Sequence, residues 1–164
     1  MDRLWAPWRM AYIKEAKKEE AGCIFCAAAN EQSDKKTYIV YRGKASFIIM
    51  NLYPYNNGHV MVTPHRHVGS VEELNEEEMF EIMKLIKLAV KAITKAMKPE
   101  GFNIGANIGR SAGAGIEDHI HFHIVPRWRG DTNFMTIVSD TRVLPETIEQ
   151  TYRKLVDSIA EIDV

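Results

Sequence analysis

The sequence lacks long apolar runs. Nowhere do about 18 apolar residues follow one another, and the opening MDRLWAPWRMAYIKEAKK holds no stretch typical of a signal peptide. It also lacks a strong net charge, because 21 Lys and Arg residues are balanced by 22 Asp and Glu residues. A polyanion such as DNA would therefore need a local basic patch to bind. We expect a soluble cytoplasmic protein with no nucleic-acid partner and no membrane partner.

Cysteine is scarce, since the sequence contains only Cys23 and Cys26, in the stretch GCIFCA. Two cysteines spaced as CxxC make a poor disulfide framework for a chain of 164 residues. Three interpretations stay open: half of a zinc site, a redox pair, or two cysteines of the core. The following AAANEQSDKK does not continue the thioredoxin-like βαβ pattern that a redox pair requires. The zinc half-site is therefore favoured.

The length and the 46% hydrophobic content fit a single domain over residues 1–164, with an N-terminal extension of about 1–36 that carries the cysteines. An amphipathic helix is predicted from an Asn75 cap to about Lys98, and another from about 145 to 162. Alternating or apolar segments predict strands at 37–42, 45–52, 59–64, 102–108 and 119–125, with a short one around 134–138. The class is therefore α+β: a mostly antiparallel sheet, one long helix between strands and a C-terminal helix.

Three histidines alternate with apolar residues in DHIHFHIVPRW, at His119, His121 and His123. In a strand, residues two apart point the same way, so the imidazoles would share one face. They could be a polar face, chelate a metal or include a nucleophile. Neighbouring imidazoles, about 7 Å apart at Cα, can bind one ion, but the outer two lie on the order of 13 Å apart, which strains a shared tetrahedral site. A neutral imidazole can instead attack phosphorus and form a covalent intermediate.

A glycine-rich loop, GRSAGAGIED (109–118), precedes the histidines. It matches neither the P-loop nor the dinucleotide fingerprint, and on its own it is typical of a flexible connection. Small residues also let backbone N–H groups approach an anion closely. Next to three histidines, the loop favours phosphate binding.

The pattern of HIHFHIV resembles the signature of the histidine-triad (HIT) superfamily of nucleotide hydrolases and transferases. GCIFC, NLYPYNNGHVMVTPHRHV (51–68), the long helix and residues 101–128 support the resemblance. LWAPWRMAYI and GDTNFMTIVSDTRVLPET are most similar to the bacterial branch of diadenosine tetraphosphate phosphorylases. The resemblance covers roughly residues 4–155. It implies a HIT-like fold with a five-stranded, mostly antiparallel sheet, and a two-fold homodimer.

For the reaction, the resemblance implies a catalytic triad of His119, His121 and His123. His121 would attack the α-phosphate of a dinucleoside polyphosphate and form a nucleotidyl-histidine, which phosphate or water then resolves. His123 would contact the phosphates. Alternatives are a nucleoside phosphoramidase, another nucleotide-conjugate hydrolase, a non-catalytic nucleotide sensor, or catalysis by a metal bound to the triad.

The resemblance also implies a nucleotide-binding set. Its members are the ribose-contacting Asn51, His59 near the triad, and the phosphate segment of Asn107, Gly113, Ala114 and Gly115. Many relatives have a Gln-Ser or Gln-Thr pair where this chain has Gly115-Ile116, so backbone N–H groups would have to replace those side chains. Trp128 would either stack on a base or cap the core.

A metal site follows from the same resemblance, because zinc-carrying members bind the ion through positions that match Cys23, Cys26, His67 and His119. Two cysteines and two histidines make a closed tetrahedral site, so the zinc would be structural. No organic cofactor is expected. Arg110, Arg127 and Arg129 could balance the charge of a polyphosphate, although arginines are common on protein surfaces.

Overall fold

Five strands form one antiparallel sheet in the computed structural model, which describes residues 22–131 and 145–162. The strands are β1 (Ile39–Arg42), β2 (Ser46–Met50), β3 (Val60–Pro64), β4 (Gly101–Gly105) and β5 (Phe122–Arg127). Their order across the sheet is β1-β2-β3-β5-β4, and every neighbouring pair is antiparallel. The helices of the described residues are α1 (Ile24–Asn30), α2 (Asp34–Thr37), α3 (Glu76–Met97) and α4 (Ile148–Ala160). The predicted α+β class is confirmed.

The long helix α3 covers one face of the sheet with a row of apolar side chains. Ile82, Ile86, Ala89 and Ile93 are buried at steps of three and four residues, as predicted. Asn75 and the N3 glutamate form the predicted capping box. They satisfy N–H groups that a helix start leaves without intrahelical partners.

Met79 continues the same spacing toward the helix start, but it is 45% exposed and does not belong to the buried row. The neighbouring Glu78 turns inward instead, and its residue is 4% exposed. Its carboxylate accepts hydrogen bonds from the Asn75 backbone N–H and from the Arg66 guanidinium, at 2.7–2.9 Å. Arg66 accordingly lowers the pKa of Glu78.

The segment before β1 is helical, and the strand begins at Ile39, two residues later than the predicted start at 37. Asp34–Thr37 forms the short helix α2, and Tyr38 has a left-handed φ of 58° before the strand begins. The Arg42 guanidinium at the end of β1 donates to the carbonyls of Ala28, Ala29 and Glu31 at 2.7–3.1 Å. It therefore fixes the C-terminal end of α1, the helix of the CxxC segment, to the sheet.

The histidine segment enters the sheet later than predicted, since β5 begins at Phe122 and the expected strand 119–125 does not form before it. Its partner β3 ends with Thr63 and Pro64. Proline has no N–H to donate, and Thr63 uses its hydroxyl to donate to the Ile120 carbonyl at 2.8 Å. The Ile120 N–H turns instead to the Val68 carbonyl, at 2.7 Å.

Strand β4 ends at Gly105 and not at 108 as predicted. The N-terminal extension up to residue 21 and the short strand around 134–138 lie outside the described residues. The single domain over 1–164 stays a prediction. No described helix is long and apolar enough to cross a membrane. The cytoplasmic location also stays a prediction.

Candidate functional site

The three histidines of the triad segment place their rings in a row beside α1. The Phe25 ring, fully buried, lies 5.2 Å from the His119 ring and 4.9 Å from the His121 ring, measured between centroids. The rings of His121 and His123 are 4.9 Å apart and nearly perpendicular. The predicted common side is therefore kept, even though only His123 of the three belongs to the strand.

His121 carries a defined proton. Its Nδ1 lies 2.8 Å from the His119 carbonyl, which can only accept, so Nδ1–H is the donor. In the neutral ring, Nε2 then keeps its lone pair. Burial lowers the pKa of His121 despite the opposing effect of that carbonyl, and this favours the neutral form. His121 lines a cleft, so an imidazole with one unprotonated nitrogen borders the space for a bound molecule.

His123 is oriented by a chain of two donors that starts at the backbone. The Tyr55 N–H donates to His59 Nδ1 at 3.0 Å, so the proton of His59 is on Nε2. That Nε2–H points to His123 Nδ1 at 3.0 Å. Burial, followed by the charges of His123 and His121, lowers the pKa of His59 well below its usual value, so it stays neutral. His123 then carries its own proton on Nε2, the arrangement of a hydrogen-bond donor.

The cleft has a volume of about 1150 Å³ and combines an apolar part with polar groups. Such a composition is usual for sites that bind small organic molecules. Its wall includes the apolar residues Ile24, Phe25, Ile49, Leu52 and Met61, together with the polar residues Asn51, Asn107, His121 and His123.

The structure brings most of the predicted nucleotide-binding residues to this cleft. Asn51, Asn107, Gly113, Ala114, Gly115 and His123 line it. His59 lies behind His123, and Asn51 Nδ2 donates to His59 Nδ1 at 3.3 Å. Trp128 does not line the cleft formed by the described residues, and its backbone N–H donates to the Asp131 carboxylate. Its contact with a nucleotide stays a prediction.

The glycine-rich loop is a compact turn. Gly109 and Gly113 have φ values of 78° and 84°, a region that favours glycine. The Gly113 N–H donates to the Arg110 carbonyl at 3.0 Å, and the Ala114 N–H to the Gly109 carbonyl at 3.4 Å. These two amides therefore hold the turn together. They are not available to replace the side chains that relatives have before the triad.

The four predicted metal ligands come together at the edge of the cleft, whose lining includes Cys23 and Cys26. One ligand atom of each of Cys23, Cys26, His67 and His119 lies within 4.8 Å of every other. His119 Nδ1 is 3.1 Å and 3.6 Å from the two Sγ atoms, and 3.3 Å from His67 Nδ1. A tetrahedral zinc with the usual bond lengths separates nitrogen and sulfur ligands by about 3.5 Å and two nitrogens by about 3.3 Å. The observed spacing fits such an ion.

The protonation of these ligands also suits a cation. His119 Nε2–H donates to the Pro64 carbonyl at 2.9 Å, which directs the Nδ1 lone pair at the cysteines. The pKa of the Cys26 thiol is raised by burial and then by the neighbouring Cys23. Two adjacent thiolates therefore need a positive charge between them.

The three arginines around the triad are separated by the structure. Arg110 lines the cleft, with its guanidinium 2.8 Å from the Glu117 carboxylate. Arg127 pairs with Asp131 at 2.6 Å, and Arg129 pairs with Glu100 at 3.3 Å. Neither of these two lines the cleft of the described residues.

Some positioning groups were missed in the sequence. They include Phe25, Tyr55 and Pro64, which orient the triad by ring contact, backbone N–H and backbone carbonyl. Phe25 stands between the two cysteines, so a metal-binding CxxC beside an aromatic residue was an available signal. The backbone groups of Tyr55 and Pro64 carry no sequence signal of this role.

The chain is similar to known proteins over most of its length. The HIT domain model matches residues 32–130. An AP-4-A phosphorylase of Mycobacterium tuberculosis is 40% identical over 161 residues, which cover 94% of this chain and 83% of that protein.

Solved structures share the fold. A hypothetical histidine triad nucleotide-binding protein from Sulfolobus tokodaii strain 7 has a TM-score of 0.70 and 32% identity, covering 85% of this chain and 93% of its own. A zinc-bound histidine triad family protein from Mycobacterium smegmatis has a TM-score of 0.69 and 23% identity, covering 85% of this chain and 94% of its own.

The hydrogen bonds predict the tautomer of each ring. In nitrogen-15 NMR spectra of the histidine side chains at neutral pH, we expect His121 to carry its proton on Nδ1. His59, His119 and His123 should carry theirs on Nε2, and His59 should stay neutral below the usual histidine pKa of about 6.5. A proton on His121 Nε2 would contradict the assignment of the nucleophilic nitrogen.

Proposed function

We propose that this chain, which belongs to the HIT domain family, is a nucleotidyl transferase acting on dinucleoside polyphosphates. The substrate that we propose is diadenosine tetraphosphate, and the acceptor is inorganic phosphate. The relative from Mycobacterium tuberculosis, named an AP-4-A phosphorylase, supports this choice. The observation that carries it is the neutral His121, whose Nε2 lone pair lies at the wall of the cleft.

The first step is a displacement at the α-phosphate. His121 Nε2 forms a bond to the α-phosphorus, and the bond from that phosphorus to the bridging oxygen of the β-phosphate breaks. The leaving group is ATP, and AMP stays on the histidine. The His119 carbonyl stabilises the positive charge that develops on the ring, because it accepts from Nδ1–H at 2.8 Å.

The second step reverses the geometry with a new acceptor. An oxygen of inorganic phosphate bonds to the α-phosphorus, the bond to His121 breaks, and ADP leaves. Water as acceptor would give AMP and release a proton. In both steps the Nε2–H of His123 donates to a non-bridging oxygen of the α-phosphate, whose negative charge it stabilises.

The cleft supports a place for the rest of the nucleotide. Asn51 would contact the ribose, since it lines the cleft and is held by His59. The apolar wall that includes Ile24, Ile49 and Met61 suits a purine base. Asn107 and Gly115 would face the phosphates.

We also propose that Cys23, Cys26, His67 and His119 hold a structural zinc ion. The observed ligand spacing supports this, and so does the zinc-bound relative of similar fold. When bound, the ion would tie α1 to the residue that precedes the nucleophile by two positions. Four protein ligands leave no open position for a substrate, so the chemistry belongs to the histidines.

The decisive measurement is the product pattern from diadenosine tetraphosphate. We expect the wild type to form ADP plus ATP when phosphate is present. In His121→Asn we expect kcat/KM to fall at least about 1000-fold, since the nucleophile is removed. The matched control is His65→Asn, a histidine outside the cleft whose ring stacks on Phe47. Full activity of His121→Asn would overturn the mechanism.

The products also distinguish the alternative functions. AMP plus ATP would select the hydrolase, and turnover of adenosine phosphoramidate alone would select the phosphoramidase. Tight nucleotide binding without turnover would select the sensor.

Zinc is tested by metal analysis of the purified chain. We expect one zinc per chain, and none in the double variant Cys23→Ser/Cys26→Ser, with His65→Asn again as control. The double variant should unfold roughly 5–10 °C lower, because a site filled at 100 times its Kd stabilises by about 2.7 kcal/mol. Zinc retained by the double variant would place the ion elsewhere.

A homodimer is supported by apolar side chains that the described residues leave uncovered. Phe80 and Met83 on α3 are each 65% exposed, and Ile104 on the edge strand β4 is 48% exposed. An edge strand and apolar patches are features that a second copy of the chain can cover. Light scattering should give twice the mass of one chain, reduced in Phe80→Glu but not in Lys91→Glu on the same helix. A monomeric wild type would contradict the proposal.

A further inference from the structure

Arg110 lies where, in the proposed reaction, the leaving group of the first step is replaced by the acceptor of the second. It lies in the turn Arg110–Ala112 of the glycine-rich loop, and it lines the same cleft as His121 and His123. The charged side chains of the described lining are Lys36, Arg110 and Glu117. Lys36 belongs to α2, near the ribose end of the cleft. Two residues after it, the Tyr38 carbonyl accepts a hydrogen bond from the N–H of Met50, which precedes the ribose candidate Asn51. Arg110 shares its loop with Gly113, Ala114 and Gly115, which line the cleft and belong to the proposed phosphate segment, so it is the cation on the proposed phosphate side.

Arg110 supplies the positive charge of this loop, because two of the loop's amides and the side chain before the triad offer nothing to an anion. The amides of Gly113 and Ala114 donate within the turn, so they hold the loop together. Position 116, next to the triad, is an isoleucine that cannot donate a side-chain hydrogen bond. The guanidinium of Arg110 presents several N–H groups in a fork that matches two phosphate oxygens.

The ion pair between Arg110 and Glu117 is weak enough for another anion to replace the carboxylate. One nitrogen, Nε, lies 2.8 Å from the carboxylate, and the two side chains are 89% and 37% exposed. Exposed ion pairs of this sort contribute little free energy. A phosphate group with two negative charges can therefore take the guanidinium from Glu117 at small cost, while Glu117 keeps it beside the cleft when no substrate is bound.

The chemistry puts a phosphate at the same place in both steps. A displacement at phosphorus by His121 Nε2 expels its leaving group on the opposite side, and the acceptor of the second step must enter from that side. On the proposed function, the leaving group is a triphosphate and the acceptor is inorganic phosphate. Both carry charge for Arg110 to bind, whereas water carries none.

We propose that Arg110 is the specificity-determining residue of this position, an inference that rests on the proposed function. Its guanidinium binds the phosphate next to the α-phosphate, first in the leaving triphosphate and then in the incoming inorganic phosphate. It thereby selects phosphate over water as the acceptor. It also selects polyphosphate substrates over mononucleotide conjugates whose leaving group is uncharged.

The test is the ratio of ADP to AMP formed from diadenosine tetraphosphate at one fixed phosphate concentration. This ratio does not depend on how much of a variant is folded. We expect it to fall at least about tenfold in Arg110→Gln, which loses the charge-assisted hydrogen bonds of the guanidinium, and to recover in part in Arg110→Lys. Glu117→Gln, which releases the guanidinium, should keep or raise it. The control Arg129→Gln, 94% exposed and outside the cleft, should leave it unchanged.

An unchanged ratio of ADP to AMP in Arg110→Gln would overturn the proposal, even if both products decreased equally. A binding measurement keeps it testable if the wild type does not turn over diadenosine tetraphosphate, a result that would reject the proposed function alone. Calorimetric titrations with ATP and with AMP then apply. We expect Arg110→Gln to weaken ATP binding about tenfold more than AMP binding. Equal effects on both nucleotides would reject the role of Arg110.

Discussion

The hydrogen bond from His119 Nε2–H to the Pro64 carbonyl is the constraint on which the site depends. Proline ends β3 and has no N–H, so the ladder with the histidine segment cannot continue past it. The Pro64 carbonyl, which has no partner in the strand ladder with the histidine segment, accepts a hydrogen bond from the His119 imidazole. As a result the Nδ1 of that ring points at two cysteines, and its own backbone carbonyl is left to accept from His121.

The three histidines of one short segment differ because each has a different second partner. A backbone carbonyl holds the proton of His119 on Nε2, another holds that of His121 on Nδ1, and His59 presents a donor to His123. The same type of side chain is therefore suited to three proposed roles: metal ligand for His119, nucleophile for His121 and hydrogen-bond donor for His123. Burial lowers the pKa of His119 and of His121, which keeps both rings neutral for these roles.

Local patterns predicted much of this from the sequence. The strand positions, the Asn75 capping box and the clustering of the four candidate metal ligands agree with the structure, because strand patterns and caps are local and the ligand set came with the family resemblance. The start of β5 was wrong because it depends on a proline of another strand. The sorting of the arginines depends on acidic partners such as Asp131 and Glu100, which only the tertiary fold brings near.

The Phe25 ring lies against both His119, a candidate metal ligand, and His121, the proposed nucleophile, at 5.2 Å and 4.9 Å between ring centroids. It belongs to α1, whose N-terminal end carries the cysteines and whose C-terminal end is held by Arg42. One aromatic side chain is thus a common neighbour of two sites for which we propose different tasks. Substitutions at the two sites share this neighbour, so their free energies cannot add as those of independent positions do. A substitution at the proposed metal site therefore also changes, through this ring, the surroundings of the proposed nucleophile.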